Sequence, residues 1–165
     1  MREIRTALET CTGVRGRCEV IPTGRDFTVI CDYAHTPDAV ENILRSVKEY
    51  TKGRLICLFG CGGNRDATKR PKMAKAAAKY ADFLVITSDN PRDEEPEAIV
   101  ADILTGLEGS DVPYEVVIDR KDAILRSMQM AQPGDVIVLA GKGHEDYQVL
   151  KNGVHTVSYT HLTLP

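Results

Sequence analysis

The sequence has no tryptophan, so its unfolding has to be followed through tyrosine or circular dichroism. It has no apolar run approaching the ~20 residues that a membrane-spanning helix needs, and no membrane insertion is expected. It has no excess of one charge: 21 Lys plus Arg stand against 24 Asp plus Glu, a formal net charge of -3. That balance lacks the electrostatic footprint of a nucleic-acid binder, so no nucleic-acid partner is expected. Met1 to Glu9 alternates charged and apolar residues and holds no signal-peptide core. Five cysteines (Cys11, Cys18, Cys31, Cys57, Cys61) make an odd count without the density of a disulfide scaffold. Reduced thiols and a cytoplasmic setting follow as expectations. There is no internal repeat and no low-complexity segment.

What remains is an ordinary globular balance. In 165 residues, 42% are hydrophobic and 27% charged, which suits one domain rather than two. Strands and helices alternate along it. Cys18 to Ile21 and Phe27 to Cys31 read as strands joined through Pro22, Thr23 and Gly24, a spacing that predicts a hairpin and one antiparallel edge strand. Thr36-Pro37 opens a helix to about Tyr50, with Val40, Ile43, Leu44 and Val47 at helical spacing. Leu55 to Phe59 is an all-apolar strand. A helix follows from about Pro71, then a strand over Phe83 to Thr87 and a helix from Pro96. Glu115 to Ile118 is the next strand, Asp119 caps a helix reaching Met130, and Val136 to Ala140 closes the series. Val149 to Val157 is expected to form a hairpin about Asn152-Gly153. Short apolar strands separated by helices predict an α/β fold: a Rossmann-like, mostly parallel sheet with helices on both faces and one antiparallel edge strand.

The unusual polar clusters fall directly after strands. Asp32-Tyr33-Ala34-His35, Gly60 to Asp66, Asp89-Asn90-Pro91-Arg92 and Gly141-Lys142-Gly143-His144-Glu145 each follow one. In an open parallel sheet the carboxyl ends of the strands lie together and ligands bind there, so these four loops are expected to share one rim. Arg65 and Arg92 can each make forked hydrogen bonds to a carboxylate. Asp89 and Glu145 can accept from ammonium groups, and Gly141 lets a ligand approach the backbone. Two guanidinium groups and two carboxylates suit a zwitterion such as an amino acid better than a polyphosphate.

Other readings of these loops fail on their own terms. Gly60-Cys61-Gly62-Gly63-Asn64-Arg65 has an arginine where a dinucleotide fingerprint needs its last glycine. Gly141-Lys142 is not a phosphate loop: Val136 stands where the first glycine belongs, and Gly143 replaces Ser or Thr. Cys57 and Cys61 have the wrong spacing for a structural zinc pair, and Cys57 reads as a buried thiol. No metal site is expected. Lys69 and Arg70 read equally as residues flanking a helix start, Asp32 as a cap of the next helix, and His144 as a packed or capping histidine.

Six segments in this order carry a resemblance. They are Gly16-Arg17, Asp32 to Pro37, Phe59 to Asp66, Lys69-Arg70-Pro71, Thr87 to Arg92 and Gly141 to Glu145. Together they make the chain resemble, over roughly Ile4 to Leu150, the carboxyl-terminal domain of the Mur ligases, in the branch that adds meso-diaminopimelate. The resemblance implies a role in peptidoglycan synthesis: ATP phosphorylates the carboxylate of UDP-MurNAc-L-Ala-D-Glu, and the amine of diaminopimelate attacks the acyl phosphate to form an amide. It implies that Arg65, Asp89, Asn90, Pro91, Arg92, Gly141 and Glu145 bind diaminopimelate, and that Arg17, Asp32 and His35 contact the adenosine part of the nucleotide. No catalytic residue is assigned.

The resemblance also implies that ATP and Mg2+ serve the complete enzyme. UDP-MurNAc-dipeptide and ATP are reached through domains that this chain lacks, so the chain alone is expected to bind no cofactor, to be inactive and to be monomeric. Residues 1–157 are expected to form the amino-acid-binding domain, incomplete at its end, and 158–165 an unplaced, non-native or disordered tail. Two alternatives stand beside this: a non-catalytic α/β module that binds an amino acid or nucleotide, and a folylpolyglutamate-type or cyanophycin-type ligase domain.

Overall fold

The computed structural model describes residues 13–156. The expected tail and the Met1 to Glu9 segment lie outside the described residues, as does the last residue of the expected closing hairpin.

Four strands form the centre because their sequences tolerate no water on either face. β1 (Glu19–Ile21) and β2 (Thr28–Asp32) pair antiparallel, as the hairpin spacing predicts. β3 (Leu55–Phe59), β4 (Phe83–Ile86), β5 (Tyr114–Val116) and β6 (Val136–Ala140) complete a six-stranded sheet in the order β1-β2-β6-β3-β4-β5. All pairs beyond β1-β2 are parallel. Every residue of β3 is fully buried. Its side chains alternate between two cores, as strand geometry requires. Leu55, Cys57 and Phe59 join one core, and Ile56 and Leu58 the other. β6 runs in register beside it, Cys57 opposite Val138.

The helices α1 (Pro37–Lys48), α2 (Lys69–Ala78), α3 (Pro96–Leu104) and α4 (Arg120–Met130) cover both faces, but unequally. Among the described residues, α1, α2 and α3 bury Leu44, Met73 and Ile103 on the face of Phe59, and α4 sends Ala123, Ile124 and Met128 to the face of Leu58. The helix starts follow their caps: the Thr36 side chain accepts from Ala39 N (3.3 Å) and that of Asp119 from Asp122 N (2.9 Å). Asp32 does not cap α1. α2 begins two residues before Pro71, which costs nothing there because the first four amides of a helix have no internal partner.

Several boundaries move by one or two residues from expectation, those of β5 and the last hairpin among them. β5 lies earlier than Glu115 to Ile118, because the chain leaves the ladder to close onto the end of β4: Ile118 O accepts from Ser88 N (3.1 Å) and from Thr87 Oγ1 (3.2 Å). The last hairpin, β7 (Tyr147–Leu150) with β8 (Gly153–Thr156), turns through Lys151-Asn152, one residue before the expected centre. Gly153, at φ 127°, is its first returning strand residue, a backbone state that side chains resist. The hairpin stands apart from the main sheet as a second, two-stranded one.

Chain order around the sheet places the site. After β5 the chain returns to insert β6 between β2 and β3. The loops leaving β2, β3, β4 and β6 therefore converge at the carboxyl edge, as an open parallel sheet with a topological switch demands.

Candidate functional site

A cavity of about 270 Å³ opens at that edge, with walls from all four loops. Arg65, Asp89, Asn90, Arg92, Gly141 and Glu145 line it, and so does His35. Six of the seven residues expected to bind the amino acid thus share one space. Pro91 does not line it. Pro91 is buried, and its carbonyl accepts from Glu94 N (3.1 Å) and packs on Gly63.

Glycine makes the convergence possible. The loops after β3 and β4 touch backbone to backbone: a Cβ on Gly63 would lie 1.9 Å from Pro91 O, and one on Gly60 2.2 Å from Thr87 O. Gly63 N in turn donates to Asn90 O (2.9 Å). Gly141, at φ 111°, leaves room for the Asp89 carboxylate, whose Oδ2 would stand 2.9 Å from an added Cβ.

The two arginines are held differently. Arg92 has φ 55°, a left-handed conformation that costs an ordinary residue ~1–2 kcal/mol. Its Nη1 donates to Gly63 O (2.8 Å) and Asn90 O (3.2 Å), which fixes the guanidinium plane against the cavity. Arg65 is exposed, and among the described residues its Nη1 donates only to the neighbouring Asn64 O (3.3 Å). One guanidinium is thus fixed in place and the other is loosely held.

The acceptors surround a buried ammonium. Lys142, 1% exposed, donates from Nζ to Asn90 Oδ1 (2.8 Å) and lies 3.4 Å from Glu145 Oε2 and 3.6 Å from Asp89 Oδ1. Burial pushes its pKa down, and the charges of Asp89 and Glu145 oppose that fall. Glu145 also accepts from Tyr33 Oη (3.4 Å) and Asn90 Nδ2 (3.4 Å). The negative charge of Glu145 raises the pKa of the Tyr33 phenol.

Arg17 and Asp32 stand beside the cavity rather than in its wall. Arg17 lies over the Tyr33 ring, 4.3 Å from its centroid. Asp32 accepts from Cys18 N (2.7 Å) and Ala34 N (2.8 Å), so its carboxylate ties β1 to the loop after β2. His35 Nδ1 sits 2.8 Å from Tyr33 O, and its ring meets that of Tyr33 edge-on. His144 stacks at 6.1 Å on the same Tyr33 ring.

Sequence reasoning missed five side chains. Tyr33 and Lys69 line the cavity, Lys69 with its Nζ on His35 O (3.1 Å). Lys142 is the third. Its signal is a lysine between two glycines after an all-apolar strand. Arg120 is the fourth, 1% exposed, donating to Ser88 O (3.4 Å) and Ala140 O (2.8 Å), the carbonyls just before Asp89 and Gly141. Its one signal is a cation in the first turn of a helix, where the dipole disfavours it. Gln148, the fifth, donates from Nε2 to Asp89 O. Arg70 does more than flank a helix: it is buried and pairs with Glu94 (2.8 Å) and Asp102 (2.8 Å). Cys57 and Cys61 are buried thiols pushed up to about 12 by desolvation.

The fold and this edge define an α/β domain with a charged cavity at the switch point of its sheet. The family model for the Mur ligase, glutamate ligase domain, matches residues 16–143, and the chain belongs to that family. It is 53% identical over 152 residues to the UDP-N-acetylmuramoyl-L-alanyl-D-glutamate--2,6-diaminopimelate ligase of Syntrophomonas wolfei, covering 92% of this chain and 31% of the relative. The Aquifex aeolicus enzyme of the same name is 55% identical over 150 residues, covering 90% of this chain and 30% of that one. A solved structure of such a ligase matches with a TM-score of 0.81 at 40% identity, over 93% of this chain and 31% of the other. A bifunctional folylpolyglutamate synthase/dihydrofolate synthase from Yersinia pestis, at 21% identity and a TM-score of 0.64 over 86% of this chain and 31% of that chain, shares the fold alone. The chain thus spans under a third of the length of these ligase relatives.

Proposed function

We propose that this chain is the amino-acid-binding domain of an ATP-dependent ligase that adds meso-diaminopimelate to UDP-MurNAc-L-Ala-D-Glu through an acyl phosphate, in the cytoplasm. One observation carries the reading: two guanidinium groups, Arg65 and Arg92, and two carboxylates, Asp89 and Glu145, line a single cavity. That set matches a molecule with two carboxylates and two ammonium groups. The names of the most similar relatives support the same ligand.

The roles follow from how each group is held. Arg92, fixed by Gly63 O and Asn90 O, presents an oriented guanidinium to one ligand carboxylate. Arg65, loosely held, closes on the other. Asp89 and Glu145 accept from an ammonium group, Asn90 and Pro91 shape the loop between them, and Gly141 keeps the approach open. L-Lysine lacks the second carboxylate. A site that leaves a desolvated guanidinium unpaired rejects it. Arg17, Asp32 and His35 form the nucleotide-facing side: Arg17 and His35 through the Tyr33 ring, Asp32 by tying Cys18 to Ala34.

The phosphates of ATP are not this chain's to hold, because neither glycine loop has the residues of a phosphate loop. Among the described residues no group of three or more His, Cys, Asp or Glu side chains can hold a metal ion, so no step is assigned to Mg2+ here. On this reading the chain alone is inactive, and the amino-acid-binding domain is assigned to residues 1–157.

An NMR titration of the labelled chain tests this. Saturable shifts at Arg65, Asn90, Arg92 and Glu145 with meso-diaminopimelate, and none with L-lysine, are expected. Shifts confined to other loops, or stronger shifts with L-glutamate, would reject the reading in favour of a different amino acid.

A further inference from the structure

Lys142 has no place in the roles assigned above, yet its ammonium reaches three of the residues assigned to the ligand. It does not line the cavity. It lies behind the wall, 1% exposed, and its Nζ reaches Asn90 Oδ1 (2.8 Å), Glu145 Oε2 (3.4 Å) and Asp89 Oδ1 (3.6 Å). Three proposed ligand residues from two loops thus meet at one ammonium.

We propose that Lys142 is a positioning residue for amino-acid binding: its buried ammonium holds Asp89, Asn90 and Glu145 in one arrangement and neutralises part of their charge. The proposal rests on the amino-acid reading of the cavity and adds to it. Without a cation, two carboxylates crowd the same small space, and like charges so placed resist joint ionisation. With it, the two carboxylates share one counter-charge and their remaining lone pairs are free to meet a ligand ammonium.

Geometry requires the lysine to be both charged and fixed. Burying an ammonium is costly unless it is paired and hydrogen-bonded, so the three acceptors and the cation depend on one another. Asn90 makes the dependence directional. Its Oδ1 accepts from Lys142 Nζ and from Val149 N (2.9 Å), which leaves Nδ2 to donate to Glu145 Oε2 (3.4 Å). The amide cannot flip without losing all three bonds. The groups facing the ammonium are Asp89 after β4, Glu145 on its own loop, Arg120 from α4 and the Tyr147 ring of β7, 5.6 Å away. Tyr33 Oη stands on Glu145 from the loop after β2. Arg120 and burial disfavour the charge, and the two carboxylates favour it.

The test uses the 165-residue chain with carboxyl carbons, lysine Cε and side-chain amides isotope-labelled. Lys142→Met keeps the length of the stem and removes the ammonium. The Asp89 and Glu145 carboxyl-carbon signals and the Asn90 side-chain amide signals are expected to move in this variant. Meso-diaminopimelate is expected to bind at least tenfold more weakly, while Lys151→Met on the exposed hairpin turn changes neither readout. Unchanged carboxyl and amide signals in a folded Lys142→Met overturn the proposal, and so does unchanged affinity. Should that variant not fold, the wild-type chain decides. Asn90 amide shifts that follow the lysine's own titration at Cε support the proposal, and signals flat across it overturn it. A wild-type chain that binds no amino acid removes the amino-acid reading, and the carboxyl and amide signals then judge Lys142 alone.

Discussion

Gly63 N donates to Asn90 O, and a Cβ on Gly63 would stand 1.9 Å from Pro91 O, backbone against backbone. Neither partner is a flexible side chain that can swing aside. Gly63→Ala is therefore expected to destabilise the chain by ~1–3 kcal/mol, the range for overpacking, read as a lower midpoint in circular-dichroism melts. A second residue tests the opposite edge of the sheet. Asp135 is 2% exposed. Burial opposes its charge, but hydrogen bonds from the Arg54 side chain (2.7 Å) and from Gln132 N and Arg54 N win and hold its carboxyl below the usual 3.8. A carboxyl lowered in the folded state stabilises above the unfolded value and loses that contribution as pH falls through the folded one. Asp135→Asn is thus expected to cost ~2–3 kcal/mol at pH 7, and the gap from wild type to shrink in urea titrations below about pH 3.8.

At the scale of elements, the β7–β8 hairpin acts as a clip on the Asp89-to-Arg92 loop. Val149 N donates to Asn90 Oδ1 (2.9 Å), and Arg92 N donates to Val149 O (3.0 Å). Val149→Pro removes the first bond and leaves the main sheet untouched. Faster hydrogen exchange at the Arg92 amide is expected, with at least tenfold weaker amino-acid binding. This clip was not legible in the sequence, whereas β3 and β6 were, residue for residue. A strand buried on both faces is apolar throughout and ends where polarity begins. Caps were legible for a similar local reason: Thr36 and Asp119 satisfy amides three residues away. β5 and the hairpin turn were misplaced because their limits depend on partners far along the chain, such as Ile118 O on Ser88 N. The charged loops were legible as a rim once the strands were in order. Lys142 and Arg120 were not, because a charged residue becomes buried only through distant partners. For Lys142 the partner is Asn90, 52 residues away, and for Arg120 it is Ser88, 32 residues away.

For the molecule as a whole, the sheet order places four loops on one cavity, which two guanidinium groups and two carboxylates line. Catalysis needs phosphate binding as well, and neither glycine loop is built for it. The chain incubated with ATP, UDP-MurNAc-L-Ala-D-Glu and meso-diaminopimelate is expected to release no ADP and form no amide. The most direct measurement of the central claim is calorimetric binding of meso-diaminopimelate and L-lysine to wild type and Arg92→Lys. Wild type is expected to prefer diaminopimelate by at least tenfold, ~1.4 kcal/mol, and the variant to lose most of that preference. An equal preference in both proteins would contradict it, because the Arg92 guanidinium would then not be the group that reads the second carboxylate.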